Sequence, residues 1–148
     1  MKIYLSGDHA GFILKEKIKK WLEQEGYVVV DCGPFKLDKK DDYPDYVVPM
    51  AKKVSKDKGS FGFSFAGSGE GEAIAMNKVK GIRAVVYYGK NLNIVKFSRK
   101  HNNANILSFG AWFAKEHECK RAISIFLKTE FDEGSRHERR LKKIEGRG

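Results

Sequence analysis

Phe61-Gly62-Phe63-Ser64-Phe65-Ala66-Gly67-Ser68-Gly69-Glu70-Gly71-Glu72 reads as a strand that runs directly into a glycine-rich turn and then into a helix. The strand covers Phe61 to Phe65, and a short helix follows from about Glu72 to Asn77. The same unit recurs on both sides. Upstream, Ile3–Ser6 is a strand, Gly7-Asp8-His9-Ala10-Gly11 a turn, and Phe12, Leu14, Ile18, Trp21 and Leu22 mark one face of a helix that Gly26 closes. Val28-Val29-Val30 is a second strand. A polar loop then leads to a helix over about Asp45 to Lys56, in which Pro49 fits only if it lies in the first turn. Downstream, Ile82–Tyr88 and Ile106–Ser108 are strands, and Leu92–Arg99, about Ala114–Leu127 and about Glu133–Lys143 are helices. Strands joined by helices must be mostly parallel. The expected fold is a Rossmann-like three-layer α/β/α sandwich with a five-stranded parallel sheet, one domain over residues 1–148 ending in a basic helix.

Composition narrows the class. The chain has 148 residues, 41% hydrophobic and 32% charged, the balance of a globular protein rather than a disordered one. It has no run near the ~18 apolar residues that cross a bilayer, and its first residues do not read as a secretory signal. Two cysteines, Cys32 and Cys119, rule out a disulfide scaffold and read as structural thiols. The histidines and cysteines lack metal-ligand spacing. A cytoplasmic protein without metal, membrane or nucleic-acid partner is the expectation. The 29 Lys and Arg against 19 Asp and Glu give +10, a field that attracts phosphates generally and equally describes a solvated lysine-rich surface.

In an open parallel sheet, ligands bind beyond the carboxyl ends of the strands. That rule points to Gly7–Gly11, Asp42–Tyr46, Gly67–Glu72 and His101–Asn105. The glycines at 67, 69 and 71 allow a tight turn whose N–H groups converge beside a helix start, fit for an anion or a developing enediolate. It lacks the GxGxxG and P-loop spacings and also reads as a plain structural turn. Glu72 is either a carboxylate favoured by the helix dipole or a general base above the turn, and Glu70 competes for that role. Asp8 can be an N-cap, with His9 beside it on the surface. His101, followed by the loop-type residues Asn102 and Asn103, can pass protons near neutral pH. Arg136 and Arg140 share a helix face and can clamp a phosphate or form a solvated basic tail.

Taken together, Gly7-Asp8-His9-Ala10-Gly11-Phe12, Asp42-Tyr43-Pro44-Asp45-Tyr46, Gly67-Ser68-Gly69, Ile74-Ala75-Met76-Asn77-Lys78 with Gly81-Ile82-Arg83-Ala84, His101-Asn102-Asn103-Ala104-Asn105, and Thr129-Glu130-Phe131 with Arg136-His137-Glu138-Arg139-Arg140 resemble the ribose-5-phosphate isomerase B family. That family includes allose-6-phosphate and galactose-6-phosphate isomerases. The resemblance implies a cofactor-independent aldose–ketose isomerase, with ribose 5-phosphate and ribulose 5-phosphate interconverted through a cis-enediolate. One branch of the family has a cysteine base before the glycine turn, where this chain has Ala66. The other has a glutamate at the position of Glu72. By the same resemblance Gly67, Ser68, Gly69 and Gly71 hold the enediolate and His101 assists ring opening. Asp8 and Tyr46 then hold substrate hydroxyls, Asn102 is a further substrate-binding residue, and His9, Arg136 and Arg140 bind the phosphate. Family members are homodimers or dimers of dimers with shared sites. Trp112 stands where the family commonly has a phosphate-contacting arginine, which leaves a six-carbon sugar phosphate or an unphosphorylated sugar as the alternative substrate.

Overall fold

The structure, a computed structural model, describes residues 1–146. Five strands and six helices follow in the order β1 (Lys2–Gly7), α1 (Phe12–Gln24), β2 (Val28–Asp31), α2 (Pro44–Lys56), β3 (Phe61–Ala66), α3 (Glu70–Met76), β4 (Ala84–Tyr87), α4 (Asn93–Asn102), β5 (Ile106–Gly110), α5 (Glu116–Lys128) and α6 (Arg136–Glu145). The strands form one sheet in the order β2-β1-β3-β5-β4, and every pairing is parallel.

Alternation along the strands divides the core in two. Ile3, Leu5, Phe63, Phe65, Leu107 and Phe109 pack against Ile18 and Leu22 of α1, Val95 of α4, and Ile123 and Phe126 of α5. Phe65 and Phe109 stack with their ring centroids 5.1 Å apart. On the other face Tyr4 and Ile106 meet Val47, Met50 and Val54 of α2 and Ala73 and Met76 of α3. The sheet is thus sandwiched between helical layers, as the strand–helix alternation predicts. The chain leaves β1 toward one face and β3 toward the other. The point where the strand order reverses therefore lies between β1 and β3, where open α/β sheets form their crevice.

Several boundaries depart from the sequence reading, each for a local reason. The amides of Arg83 and Ala84 donate to the side-chain oxygens of Asn105 (2.9 Å) and Asn77 (2.7 Å), so Ile82 and Arg83 stand outside β4. Pro49 lies in the interior of α2, beyond its first turn. It is exposed, so water can satisfy the carbonyl one turn back that loses its amide partner, while the buried Val47, Met50, Ala51 and Val54 hold the helix on the sheet. The C-terminal helix begins at Arg136 rather than Glu133. Gly134 has φ +73°, and Ser135 caps the helix by accepting the amide of His137 at 3.1 Å.

The largest correction concerns His101–Asn105. All strands run the same way, and this segment precedes β5, so it lies at the amino-terminal edge of the sheet, opposite the crevice. Helix α4 continues past Arg99 to Asn102 because the Arg99 guanidinium secures its end. It donates to Asn103 Oδ1 (2.9 Å) and to the carbonyls of Ala104 (2.6 Å) and Thr129 (3.2 Å), and lies 4.8 Å from the Phe61 ring centroid. Asn103 then turns left-handed (φ +45°), a conformation asparagine tolerates.

One buried charge fixes the other end of the molecule. Lys15 is fully buried in α1 and donates to both carboxylate oxygens of Asp31, at 2.9 and 2.8 Å, and to Glu16 at 2.8 Å. Asp31 also accepts the amide of Gly33 at 2.9 Å, so the start of the loop between β2 and α2 is tied to the core. No helix among the described residues is long and apolar enough to cross a membrane.

Candidate active site

The loop after β1 crosses the end of β3. The Asp8 amide donates to the Phe65 carbonyl at 3.1 Å, and Asp8 Oδ1 accepts the amides of Ala10 (2.9 Å) and Gly11 (3.2 Å). Gly11 is pressed so close to the Phe65 carbonyl that a Cβ there would collide with backbone. Asp8 is therefore buried in a fixed position beside the glycine-rich turn. Burial raises its pKa above the ordinary carboxylate value, outweighing the two amides that lower it.

The turn after β3 is shaped by Gly69, whose φ of +79° favours glycine. Ser108 Oγ donates to the Gly69 carbonyl at 2.8 Å, and Ser68 Oγ accepts the Glu70 amide at 3.2 Å. No backbone carbonyl among the described residues accepts the amides of Gly67, Ser68 or Gly69, so these donors remain open to a ligand. Helix α3 starts at Glu70, not Glu72, and this settles which acid points where. Glu70 is exposed, whereas Glu72, at the third helical position, is 4% exposed. Burial raises the Glu72 pKa, and the nearby negative charges of Asp8 and Glu70 push it the same way. Two acids, Asp8 and Glu72, thus share the crevice, each with a raised pKa.

Aromatic side chains wall the turn. The Tyr43 hydroxyl lies against Gly71, and the Trp112 indole lies over Gly67, where an added Cβ would come within 2.6 Å of it. Trp112 is 71% exposed, and next to it Tyr88 and Phe113 form an edge-to-face pair with centroids 5.7 Å apart. A hollow of about 650 Å³ opens here, lined by Ser68, Tyr88, Gly89, Lys90, Trp112 and Phe113. Tyr46 sits farther along α2 against Gly33, so Tyr43 is the tyrosine that contacts the glycine turn. The sequence reading passed over Tyr43 in favour of Tyr46. The signal was present in the requirement for a residue without a side chain at position 71.

His9, half-exposed, meets Asp41 through Nδ1···Oδ1 at 2.7 Å. Asp8, His9 and Asp41 have their donor atoms within 4.8 Å of one another, but the short direct bond commits His9 and Asp41 to each other.

His101, Asn102, Arg136 and Arg140 are not brought to this crevice. The His101 ring is stacked between Phe97 (4.9 Å) and His137 of α6 (4.0 Å), while Asn102, Arg136 and Arg140 are exposed. These four residues cluster at the amino-terminal edge, away from Glu72.

Against known families, residues 3–144 match the ribose/galactose isomerases. This chain belongs to that family. Ribose-5-phosphate isomerase B of Mycolicibacterium paratuberculosis is 38% identical over 141 residues, 95% of this chain and 87% of that protein. The probable ribose-5-phosphate isomerase B of Mycoplasma genitalium is 38% identical over 143 residues, 96% of this chain and 92% of that one. The crystal structure of the Mycoplasma genitalium ribose-5-phosphate isomerase B with bound ribulose-5-phosphate superposes with a TM-score of 0.92 at 36% identity, covering 99% of this chain and 95% of that chain. The Clostridium thermocellum ribose-5-phosphate isomerase B gives a TM-score of 0.92 at 38% identity, with coverage of 99% and 96%. The residue before the glycine turn, Ala66, is a fully buried methyl group that cannot accept a proton, and Glu72 is the carboxyl buried in the helix that follows the turn.

Proposed function

We infer that this chain is an aldose–ketose isomerase that interconverts ribose 5-phosphate and ribulose 5-phosphate without a cofactor. The observation that carries the reading is Glu72, a buried carboxyl with a raised pKa beside unpaired loop amides and Asp8. In the open-chain aldose, the Glu72 carboxylate removes the proton from C2. The C2–H electrons form the C1–C2 double bond, and the carbonyl electrons move onto O1. The resulting cis-enediolate is stabilised by the amides of Gly67, Ser68, Gly69 and Gly71. The Glu72 carboxyl proton exchanges with solvent while the enediolate is bound, Glu72 then protonates C1, and the hydroxyl proton of O2 passes to O1, giving the ketose. A carboxyl whose pKa lies above the ordinary range is better matched to this two-way transfer than a solvated one. Asp8 and Tyr43 hold substrate hydroxyls, with Tyr46 behind them, and His9 faces the phosphate.

His101, Asn102, Arg136 and Arg140 enter the site from a second copy of the chain. Their position at the opposite edge of the sheet supports this reading, since one copy cannot bring them to Glu72. The active species is then a homodimer, alone or paired, with shared sites. Mixing two inactive variants, Glu72→Gln and Arg136→Ala/Arg140→Ala, tests it. Random exchange leaves one intact site in each hybrid dimer, so about a quarter of wild-type activity returns. No recovery after verified exchange refutes the shared site. Two unpaired thiols and the phosphorylated substrate fit the cytoplasm.

The reaction itself is tested with ribose 5-phosphate in D₂O. Deuterium entering C1 of ribulose 5-phosphate is expected, and no turnover of ribose 5-phosphate overturns the assignment. Trp112 supports a second reading, because an indole beside the turn stacks on a sugar face but cannot pair with a phosphate dianion. A higher kcat/KM for allose 6-phosphate, or for an unphosphorylated sugar, would favour it.

A further inference from the structure

The loop between β2 and α2 places Asp41 directly beneath His9. The Asp41 side chain is 2% exposed, although neighbouring residues of the same loop are open to solvent. Its Oδ1 accepts the His9 backbone amide at 3.3 Å and meets the His9 ring at Nδ1, 2.7 Å away. Its Oδ2 is buried and has no hydrogen-bond partner, and no Lys or Arg among the described residues pairs with it. His9 is therefore the partner on which this buried carboxylate depends. A buried charge without a counter-charge is costly, so the arrangement favours a cationic ring.

The geometry also fixes which ring nitrogen is left. With Nδ1–H donated to Asp41, Nε2 is the nitrogen that remains for a ligand, on a side chain that is 37% exposed. In the neutral ring that Nε2 carries a lone pair and repels an anion. In the imidazolium it is a donor. The ionisable groups facing His9 are Asp8, Asp38 and Asp41, all acidic, and all favour the cation.

We propose that Asp41 is a positioning residue that holds His9 as an Nε2–H donor for the substrate phosphate. This rests on the assignment of His9 to the phosphate made above. The Asp41 hydrogen bond is the foremost cause of a His9 pKa above the ordinary histidine value. With a raised pKa, the phosphate contact is complete below the ordinary value and is lost as pH rises through the raised one.

The test is Asp41→Asn, which keeps an acceptor for Nδ1–H and removes the charge. The His9 ring is titrated by NMR in both proteins, without substrate. It is expected to deprotonate at lower pH in the variant. At pH 7.5 the KM for ribose 5-phosphate should rise roughly tenfold with kcat within about twofold, as for loss of one charge-assisted contact. Well below the range in which either His9 ring titrates by NMR, the two KM values should converge. Identical His9 titrations overturn the proposal, as does a fall in kcat at every pH with KM unchanged. Inorganic phosphate, titrated while the His9 resonances are followed, reads the anion contact separately. If the wild type binds phosphate at His9 yet fails to isomerise ribose 5-phosphate, the functional assignment fails and the Asp41 proposal stands.

Discussion

Glu72→Gln separates chemistry from architecture at the residue the mechanism depends on most. The amide is nearly isosteric and fills the same buried space, but it cannot accept a proton from carbon. Loss of a positioned general base costs about two to four orders of magnitude in kcat, or about 3–5 kcal/mol in barrier height. KM should move little, because the substitution leaves the proposed phosphate contacts, His9 and the arginines, unchanged. The effect on stability runs the other way. The fold raises the Glu72 pKa, chiefly by burial, so it prefers the protonated carboxyl. Stability from that preference is complete below the unfolded value of about 4.3 and is lost as pH rises through the folded one. Glutamine stays neutral throughout, and it gives up only a first-turn dipole contact of about 0.3–1 kcal/mol. The variant should therefore unfold at a temperature equal to or above wild type at pH 7.5, with the gap closing near pH 4. Wild-type kcat/KM should fall as pH drops through the raised pKa. Glu72→Asp gives an intermediate case. Ala73 and Met76 pin α3 to the core, so the shortened carboxylate cannot follow the substrate, and roughly a hundredfold loss is expected. Near-wild-type turnover by Glu72→Gln refutes the base assignment. So does inactivity accompanied by a large loss of thermal stability at every pH, which would make Glu72 a structural residue.

Three further outcomes follow from packing. Gly69→Ala places a side chain at φ +79° with its Cβ 3.0 Å from Ser108 Oγ, so urea denaturation should show a loss of about 2 kcal/mol, and turnover should fall with the shape of the turn. Asp31→Asn leaves the fully buried Lys15 with only the half-exposed Glu16 as its carboxylate partner, a loss of about 3 kcal/mol by chemical denaturation. Although burial opposes it, the Lys15 ammonium holds the Asp31 pKa below the usual value, so that stability is present above the unfolded pKa and disappears in wild type as pH falls through the lowered one. Ser64→Ala should be neutral or slightly stabilising in the same assay, because the Ser64 hydroxyl is fully buried and unpartnered.

The sheet was legible because each strand is an apolar run set off by glycine or polar residues, and parallel order then follows from the intervening helices. What escaped were features set by distant side chains. Lys15 looks like a solvent-facing helical residue until Asp31 arrives from β2 to neutralise it. The start of β4 depends on two asparagine side chains that occupy the amides of Arg83 and Ala84. Helix α4 overruns its expected end because Arg99 finds carbonyl and ring partners on three other segments. None of these has a local sequence signal.

The site divides along the same line. The glycine turn at Gly67–Gly71 is local and visible in the spacing, but spacing left it open between a structural turn and an anion site, and Glu72 as the base rested on the family resemblance. Choosing between Glu70 and Glu72 needed only the helix start, because a shift of two residues turns one acid outward and the other inward. Placing His101–Asn105 beyond the carboxyl ends of the strands fails for a topological reason. In a parallel sheet, the segment before a strand and the segment after one lie at opposite edges, so His101 and Glu72 cannot meet within one chain. The roles proposed for the two residues therefore require a second copy to bring them together. The same edge carries Arg136 and Arg140 on a helix that contributes no buried residue to its own subunit's core. A strongly basic helix, stacked on α4 through the His137–His101 contact, fits the proposed contact with the anionic substrate of a second copy.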